Sequence, residues 1–368
     1  LTIYDLKRIL LHKMDEKQYT IKDIANMAGV STGTVDRVLH NRGEVSESSK
    51  KKVQQVLEEI HYRPNMFAIG LAGKKKYLIC CLIPKYEPDD YWYSVAQGIE
   101  QAAEELNAFN VRTEYIYYNH SSIESYCEAG KTLLTKNVDA VLIAPNFKKE
   151  TLQITQILND RKIPFTFIDV NIENTGSMMY IGQDSFQSGY IAGKILMNEY
   201  TDDKEIVLFI SKHGQNSLEV QMQRRLEGFM KYVNDECDHP VIHEVELGGR
   251  TQNEDRQALA EFFEAHPQVK KGISFNSRIY QVGQFLEEHN IRFTGLIGYD
   301  LLPQNVELLK KGIVTLLIGQ RPGLQGYCAT KVLADKIVFK RDIPPLQYMP
   351  IDLIIKENIK YYVESYNL

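Results

Sequence analysis

The chain has little that would cross-link it, anchor it in a membrane or hold a nucleotide phosphate. Its 368 residues include five cysteines and no C-x-x-C pair, which predicts a reducing compartment rather than a disulfide-stabilised secreted protein. No apolar run approaches the roughly 20 residues of a membrane helix, so no membrane partner is expected. No G-x-G-x-x-G follows the first strand-like segment, and no G-x-x-x-x-G-K-[ST] occurs, which argues against a phosphate-binding loop.

The first 18 residues read LTIYDLKRILLHKMDEKQ, with acidic residues and no small-residue cleavage site. This pattern predicts an N-terminal extension that is not a signal peptide, and therefore a cytoplasmic protein. Charge is unevenly distributed along the chain. Residues 1–76 contain 14 Lys and Arg against 9 Asp and Glu, whereas the remainder has a net charge of −10. A basic N-terminal region on an acidic body indicates an anionic partner for that region alone.

Residues 20–47 have the pattern of two short helices joined by a tight turn. The apolar residues of IKDIANMA recur at helical spacing, Thr20 stands at the N-cap position and Asp23 completes a capping box. Gly29 supplies the conformational freedom of the turn, and Ser31 begins a second helix, TGTVDRVL. A third amphipathic helix is predicted at about 46–61. Three such helices match the helix-turn-helix arrangement, in which the second helix enters the DNA major groove.

The stretch TIKDIANMAGVSTGTVDRVLHNRGEVSE, followed by HYRPNMFAIGLAGKKK, resembles the DNA-binding head of the lactose-repressor (LacI/GalR) family without a gap over about 55 residues. The resemblance implies that Thr32, Gly33 and Arg37 face base edges. It also implies phosphate contacts from four hydroxyl and amide side chains, namely Thr20, Ser31, Thr34 and Asn41. Hydroxyls and amides can position a helix on the backbone, and a guanidinium can bind guanine through two hydrogen bonds.

A hinge helix and linker are expected at 64–76. Pro64 suits a first helical turn, but the glycines make the segment too weak to fold alone. In the family this segment folds against DNA, and a leucine from each subunit inserts into the minor groove at the centre of a palindrome. Leu71 is the matching residue here. The alternative is a plain linker with a helical tendency.

From Tyr77 onward, apolar strand-like segments alternate with amphipathic helix-length segments. Nine strands are predicted, and this alternation indicates parallel sheets with helices on both faces. So many strands over about 290 residues indicate two such sheets. The predicted strands cover 77–84, 111–118, 139–145, 163–169, 205–210, 241–247, 271–276, 292–300 and 314–319.

Polar residues follow the carboxyl ends of these strands, which is where ligands bind in open α/β sheets. Carboxylate and amide groups match the vicinal hydroxyls of a sugar, and Tyr91 and Trp92 offer aromatic rings for its apolar face. Residues 77–340 resemble the type I periplasmic-binding-protein fold of the same family, through IGQDSFQSGYIAG, RLEGF, IGYD and QRPGLQG. The effector contacts that the resemblance implies are Asp89, Tyr91, Trp92, Asn146, Asp169, Arg225, Asn276, Asp300 and Gln320. A lone strand-end Asp or Asn is more often a cap or turn residue, and Asp184 is interpreted in that way.

The sequence therefore predicts an α/β protein with four parts. These are an N-terminal extension (1–18), a three-helix DNA-binding domain (19–63), a hinge helix and linker (64–76) and a two-lobed effector-binding and dimerisation domain (77–368). The expected function is a homodimeric transcriptional repressor that binds a palindromic operator and responds to a sugar-like effector, with no catalysis, cofactor or metal. Two alternatives stay open: a sugar-binding receptor of a transport system and a sugar-metabolising enzyme fused to a head.

Overall fold

A computed structural model describes residues 19–39, 43–60, 75–198, 205–211, 220–248 and 252–366. The chain forms two compact units, Leu1–Lys75 and Lys76–Leu368. Among the described residues, no helix is both long and apolar enough to span a bilayer.

Three helices form the described part of the first unit: α1 (Ile21–Ala28), α2 (Thr32–Leu39) and α3 (Glu47–Glu59). Their inward faces meet in one small core. That core contains Ile24, Ala25, Ala28, Val35, Val53 and Val56.

The start and end of α1 follow the sequence pattern. The hydroxyl of Thr20 accepts the backbone N–H of Asp23 at 3.2 Å, and the carboxylate of Asp23 accepts the backbone N–H of Thr20 at 2.8 Å. This capping box satisfies two helix-terminal donors. Gly29 ends the helix with φ 63° and ψ 39°, a left-handed conformation that glycine adopts without a Cβ clash. The predicted capping box and glycine turn are thus confirmed.

The second unit contains two six-stranded sheets. Sheet 1 has the strand order β11-β5-β4-β3-β1-β2, and every pair in it is parallel. Its strands are β1 (Tyr77–Pro84), β2 (Val111–Tyr118), β3 (Ala140–Ile143), β4 (Phe165–Ile168), β5 (Met179–Gly182) and β11 (Leu346–Tyr348). The helices that belong with this sheet are α4 (Tyr91–Leu106), α5 (Ile123–Thr135), α6 (Lys148–Asp160) and α12 (Pro322–Ile337). We call this assembly lobe 1.

Sheet 2 repeats the arrangement with the order β12-β10-β9-β8-β6-β7, in which only β12 is antiparallel to its neighbour. Its strands are β6 (Glu205–Ser211), β7 (Val241–Leu247), β8 (Lys271–Ser274), β9 (Gly295–Tyr299), β10 (Leu316–Gly319) and β12 (Asp352–Ile354). Its helices are α7 (Ser185–Asn198), α8 (Val220–Glu236), α9 (Gln252–Ala265), α10 (Ile279–Glu288), α11 (Pro303–Lys311) and α13 (Ile359–Tyr366). We call this assembly lobe 2.

Helices cover both faces of each sheet. Since successive side chains of a strand point in opposite directions, each strand buries side chains on both faces. In β1, Ile79 and Cys81 join the core beneath α4 and α12, whereas Cys80 and Leu82 join the core beneath α5 and α6. This explains why the strands read as nearly continuous apolar runs. The predicted doubly wound architecture is confirmed.

Three segments of the described part of the chain cross between the lobes. They lie at 183–184 between β5 and α7, at 320–321 between β10 and α12, and at 349–351 between β11 and β12. As a result, α7 follows a lobe 1 strand but packs on α8 in lobe 2, and α12 follows a lobe 2 strand but packs on α4 in lobe 1. Both packings bring backbones close together: a Cβ added to Gly189 would lie 1.9 Å from the carbonyl oxygen of Arg225.

Candidate functional site

The residues of α2 that are predicted to contact base edges are exposed to solvent. Thr32, Gly33 and Arg37 are exposed, whereas Val35 between them is fully buried in the head core. The hydroxyl of Ser31 accepts the backbone N–H of Thr34 at 3.1 Å and fixes the start of α2. Thr20 holds the start of α1 in the same way. The exposed N-terminal ends of two helices offer N–H donors of the kind that bind phosphate oxygens.

Asn41 and Leu71 lie outside the described residues, as do the first 18 residues and most of the predicted hinge segment. Their assigned roles stay predictions.

In the second unit, the three aspartates predicted to bind the effector share an uncommon backbone conformation. Asp89, Asp169 and Asp300 have φ values of 68°, 67° and 68°. Left-handed backbone is uncommon for residues other than glycine, although Asp and Asn adopt it more readily than most. Asp169 follows β4 of sheet 1 and Asp300 follows β9 of sheet 2, so the two acids occupy equivalent positions in the two lobes.

A chain of hydrogen bonds joins these two acids across the lobes. Tyr91 donates its hydroxyl to Oδ1 of Asp169 at 2.9 Å, and Gln221 donates Nε2 to the same oxygen at 2.8 Å. Gln221 also donates to Oε1 of Gln320 at 3.0 Å, and Gln320 donates Nε2 to Oδ1 of Asp300 at 2.8 Å. Five of the side chains between the lobes are therefore held in fixed orientations.

Arg225 provides a buried cation beside this chain. Its side chain is 1% exposed, its Nη1 donates to the carbonyl oxygen of Phe275 at 2.8 Å, and its Cζ lies 3.9 Å from the centre of the Tyr299 ring. Its Nε and Nη2 atoms are buried without a hydrogen-bond partner. These two atoms form one edge of the guanidinium. An edge of this kind can donate two parallel hydrogen bonds to a pair of adjacent oxygen atoms. Because buried charged donors are costly to leave unpaired, this edge is suited to a ligand.

The same cation acts on both acids. Burial raises the pKa of Asp300 to about 7, and the Arg225 guanidinium and the Gln320 hydrogen bond limit that rise. Burial also raises the pKa of Asp169, against the opposing effects of Arg225, Tyr91 and Gln221. Two carboxylates and one guanidinium between the lobes can accept and donate hydrogen bonds to a polyhydroxylated molecule.

The remaining predicted ligand residues lie around this centre or on its margins. Trp92 is half-buried, and its ring packs edge-on against the ring of Tyr91 with 5.2 Å between the ring centroids, while Asp89 is exposed.

Asn146 donates its Nδ2 to the carbonyl oxygen of His120 at 2.5 Å. Oδ1 of Asn276 accepts the backbone N–H of Arg278 at 2.9 Å, the turn-forming role that strand-end Asn residues often have. Asp184 caps α7 through the backbone N–H of Gln187, as predicted.

The structure also places residues here that sequence reasoning missed. Gln221 and Gln325 enter the network, since Oε1 of Gln325 accepts the backbone N–H of Asp169 at 3.1 Å and its Nε2 lies 3.2 Å from the Tyr91 hydroxyl. Gln183 donates Nε2 to the carbonyl oxygens of Gly319 at the end of β10 and of Pro350, and thereby connects its own crossover to the start of the second and to the third. The repeated tripeptide Ile-Gly-Gln, at 181–183 and 318–320, was a usable signal for Gln183. Gln221 had no comparable signal.

Comparison with known proteins agrees with this architecture. A family model described as bacterial regulatory proteins, lacI family, matches residues 20–65, and one described as periplasmic binding protein domain matches residues 80–341. A crystal structure assigned as a LacI transcriptional regulator from Bacteroides fragilis is 37% identical, with a TM-score of 0.75 over 78% of this chain and 100% of that one. The chain belongs to the LacI family of bacterial regulatory proteins.

Other relatives of this LacI-family protein include regulators and binding proteins. The HTH-type transcriptional regulator DegA of Bacillus subtilis (strain 168) is 29% identical over 180 residues, 49% of this chain and 52% of DegA. The matched region thus spans about half the length of that curated relative. GanP, a glucose-galactose binding protein from Geobacillus stearothermophilus, is 25% identical, with a TM-score of 0.67 over 78% of this chain and 99% of GanP.

Proposed function

We propose that this protein is a sequence-specific DNA-binding transcriptional repressor whose operator affinity is controlled by a small sugar or sugar derivative bound between the two lobes. The observation that carries the proposal is the unpartnered edge of Arg225, buried between two lobes of a chain that also carries an exposed helix-turn-helix. Two adjacent oxygens of an effector would accept hydrogen bonds from Nε and Nη2 of Arg225, and its hydroxyl groups would donate hydrogen bonds to Asp169 and Asp300. The similarity to GanP, described as a glucose-galactose binding protein, supports a sugar as the ligand.

On DNA, we infer a cytoplasmic homodimer on a palindromic operator. Its two heads contact successive major grooves, and Leu71 of each subunit inserts at the centre. The effector shifts the population of lobe arrangements so that the hinge segments no longer fold against DNA, which requires different effector affinities in the two arrangements. No cofactor or metal takes part.

Selection of genomic DNA fragments by the full-length protein at moderate salt, followed by sequencing, tests this proposal. We expect a palindrome to be recovered, and the genes beside it to nominate the sugar. Recovery of only a salt-sensitive background would contradict the regulator and favour a transport receptor.

Three variants refine the DNA experiment. Arg37→Ala should reduce discrimination for the selected site by about 1–3 kcal/mol, because it removes a base contact. Lys51→Ala removes an equal charge from an exposed position on α3 and should leave the sequence preference unchanged. Leu71→Ala should weaken specific binding more than non-specific binding, and equal losses would contradict the insertion of Leu71.

A further inference from the structure

Gln221, the second residue of α8, connects the strand ends of the two lobes. Its Nε2 lies 2.8 Å from Oδ1 of Asp169, 3.2 Å from the carbonyl oxygen of Asp169 and 3.0 Å from Oε1 of Gln320. A side-chain amide has two N–H donors, and here they are directed to one residue of lobe 1 and one of lobe 2. Both donors of Gln221 are therefore used within the protein.

The direction of these hydrogen bonds is fixed by their neighbours. Gln320 uses its Nε2 to bind Oδ1 of Asp300, so its Oε1 is the atom that faces Gln221. The carboxylate of Asp169 can only accept while it is ionised, and it accepts from both Tyr91 and Gln221. Rotating the Gln221 amide by half a turn would point an oxygen at two acceptors and break both bonds.

The bond from Gln221 to Asp169 differs from the other bonds between the lobes. Gln183 lies on the 183–184 crossover and donates to Gly319, the residue just before the 320–321 crossover, and to Pro350 in the 349–351 crossover, so its bonds lie where the chain passes between the lobes. Gln221 lies on α8, outside the crossovers, and Asp169 lies at the end of β4 in the opposite lobe. The distance between them therefore depends on how far the lobes are closed.

We propose that Gln221 is a positioning residue that holds the lobes closed without an effector, and that an effector hydroxyl exchanges with its amide on Asp169. A polyol offers O–H donors of the kind this carboxylate oxygen already accepts. Exchange of the amide for a hydroxyl releases Gln221 from lobe 1, so occupancy of the cleft is transmitted to the start of α8. The inference rests on the proposed function, since it assigns the regulation of the same cleft.

The test measures lobe separation in the full-length protein without DNA or sugar. Spin labels are placed on Lys131→Cys in α5 and Lys310→Cys in α11, two exposed positions in different lobes. Cys127, Cys237 and Cys328, which are partly exposed, are replaced by serine to prevent stray labelling. Pulsed electron–electron double resonance (DEER) then gives the distribution of distances between the two spin labels for each variant.

We expect a single short distance between the spin labels in the parent protein. In Gln221→Ala we expect a second, longer distance that accounts for at least half of the molecules. Gln221→Glu should open the lobes further at pH 8, because a carboxylate then faces the carboxylate of Asp169. Gln223→Ala changes an exposed glutamine two residues along α8 and should match the parent. If Gln221→Ala does not fold, Gln221→Asn, whose amide is one methylene too short, provides the same comparison.

A distance distribution for folded Gln221→Ala that is identical to the parent's would overturn the proposal. An equal change in Gln223→Ala would do so as well, because the effect would then belong to α8 in general. Since neither DNA nor sugar is present, the result does not depend on the DNA selection, which tests the proposed function separately.

Discussion

Gln183 and Gln320 occupy the same position in the two lobes, and each has taken on a different role. Both follow Ile-Gly at the end of the fifth strand of their half, and both begin a crossover. Gln183 donates to the backbone of Gly319, at the end of β10, and to that of Pro350, in the third crossover, whereas Gln320 donates to the Asp300 side chain in the cleft. The repeat has thus produced one residue that bonds the backbone near the crossovers and one that bonds the side chain of Asp300.

Replacing Gln183 should weaken the junction of the crossovers. Gln183→Ala removes the donor to two carbonyl oxygens in a side chain that is 1% exposed, and we expect the free energy of unfolding to fall by about 1–3 kcal/mol. Urea denaturation followed by circular dichroism measures the change. Gln187→Ala, at an exposed position on α7, should change the value by less than about 0.5 kcal/mol. Equal losses in the two variants would mean that the bonds of Gln183 contribute nothing specific.

The packing of α7 on α8 should not tolerate a side chain at Gly189. A Cβ there would lie 1.9 Å from the carbonyl oxygen of Arg225, so Gly189→Ala has to push α8 away, and we expect a loss of about 3 kcal/mol or more. Gly193→Ala, one turn further along α7, places its Cβ at 3.1 Å from the nearest atom and should cost less. Thermal unfolding of the two variants tests this order, and a larger loss for Gly193→Ala would contradict it.

Stability should depend on pH through Asp300. Its pKa is about 7 in the folded protein against a usual value of 3.8, so the folded state holds the proton more tightly. The resulting stabilisation, on the order of 4 kcal/mol, is complete below about pH 4 and is lost as the pH rises through about 7. Asp300→Asn cannot titrate, and its unfolding free energy should therefore fall less between pH 4 and pH 7.

The control for this effect is Asp342→Asn, which changes a fully exposed carboxylate. This variant should retain the pH slope of the parent in urea titrations at pH 4, 5, 6 and 7. If Asp300→Asn also retained that slope, Asp300 would not be the titrating group.

Gly33 in α2 should show opposite effects on stability and on DNA binding. An added Cβ would meet nothing closer than Oγ of Ser31 at 3.8 Å, so Gly33→Ala should stabilise the helix by about 0.5–1 kcal/mol. On the proposed DNA surface, however, the methyl group would occupy space next to the base edges and lower operator affinity. Thermal melting and operator titration together test this, and Gly29→Ala, at φ 63°, should only destabilise. Unchanged operator affinity in Gly33→Ala would remove Gly33 from the DNA surface.

Local patterns were the part of the fold that the sequence could predict. The Thr20 capping box, the Gly29 turn and the apolar strand at 77–84 each depend on neighbouring residues, and the structure has all three. Two strands are shorter than predicted: β8 ends at Ser274 because the chain bends at 275–276, and β9 begins at Gly295 because residues 292–293 have no regular structure. Strands β5, β11 and β12 were missed, since three or four residues between turns carry too little periodicity to be distinguished.

The cleft was only partly predictable for a different reason. Asp169, Asp300 and Gln320 follow apolar strands, so their place at the sheet edges could be inferred from the chain order. Gln221 and Gln325 lie within helices, and their positions depend on which lobe each helix joins. The crossovers at 183–184 and 320–321 determine the lobe that each helix joins. No local sequence pattern indicates on which lobe a helix packs.

The late position of β11 and β12 in the chain affects how the protein is made. During translation, sheet 1 lacks the strand that covers β5 until residue 348 has left the ribosome, and sheet 2 lacks the cover on β10 until residue 354. Open strand edges pair readily with other chains. Nascent chains therefore pass through a stage in which β5 and β10 are edge strands in place of the three-residue strands β11 and β12, and a stop codon shortly before residue 346 would leave them at the edges of both sheets.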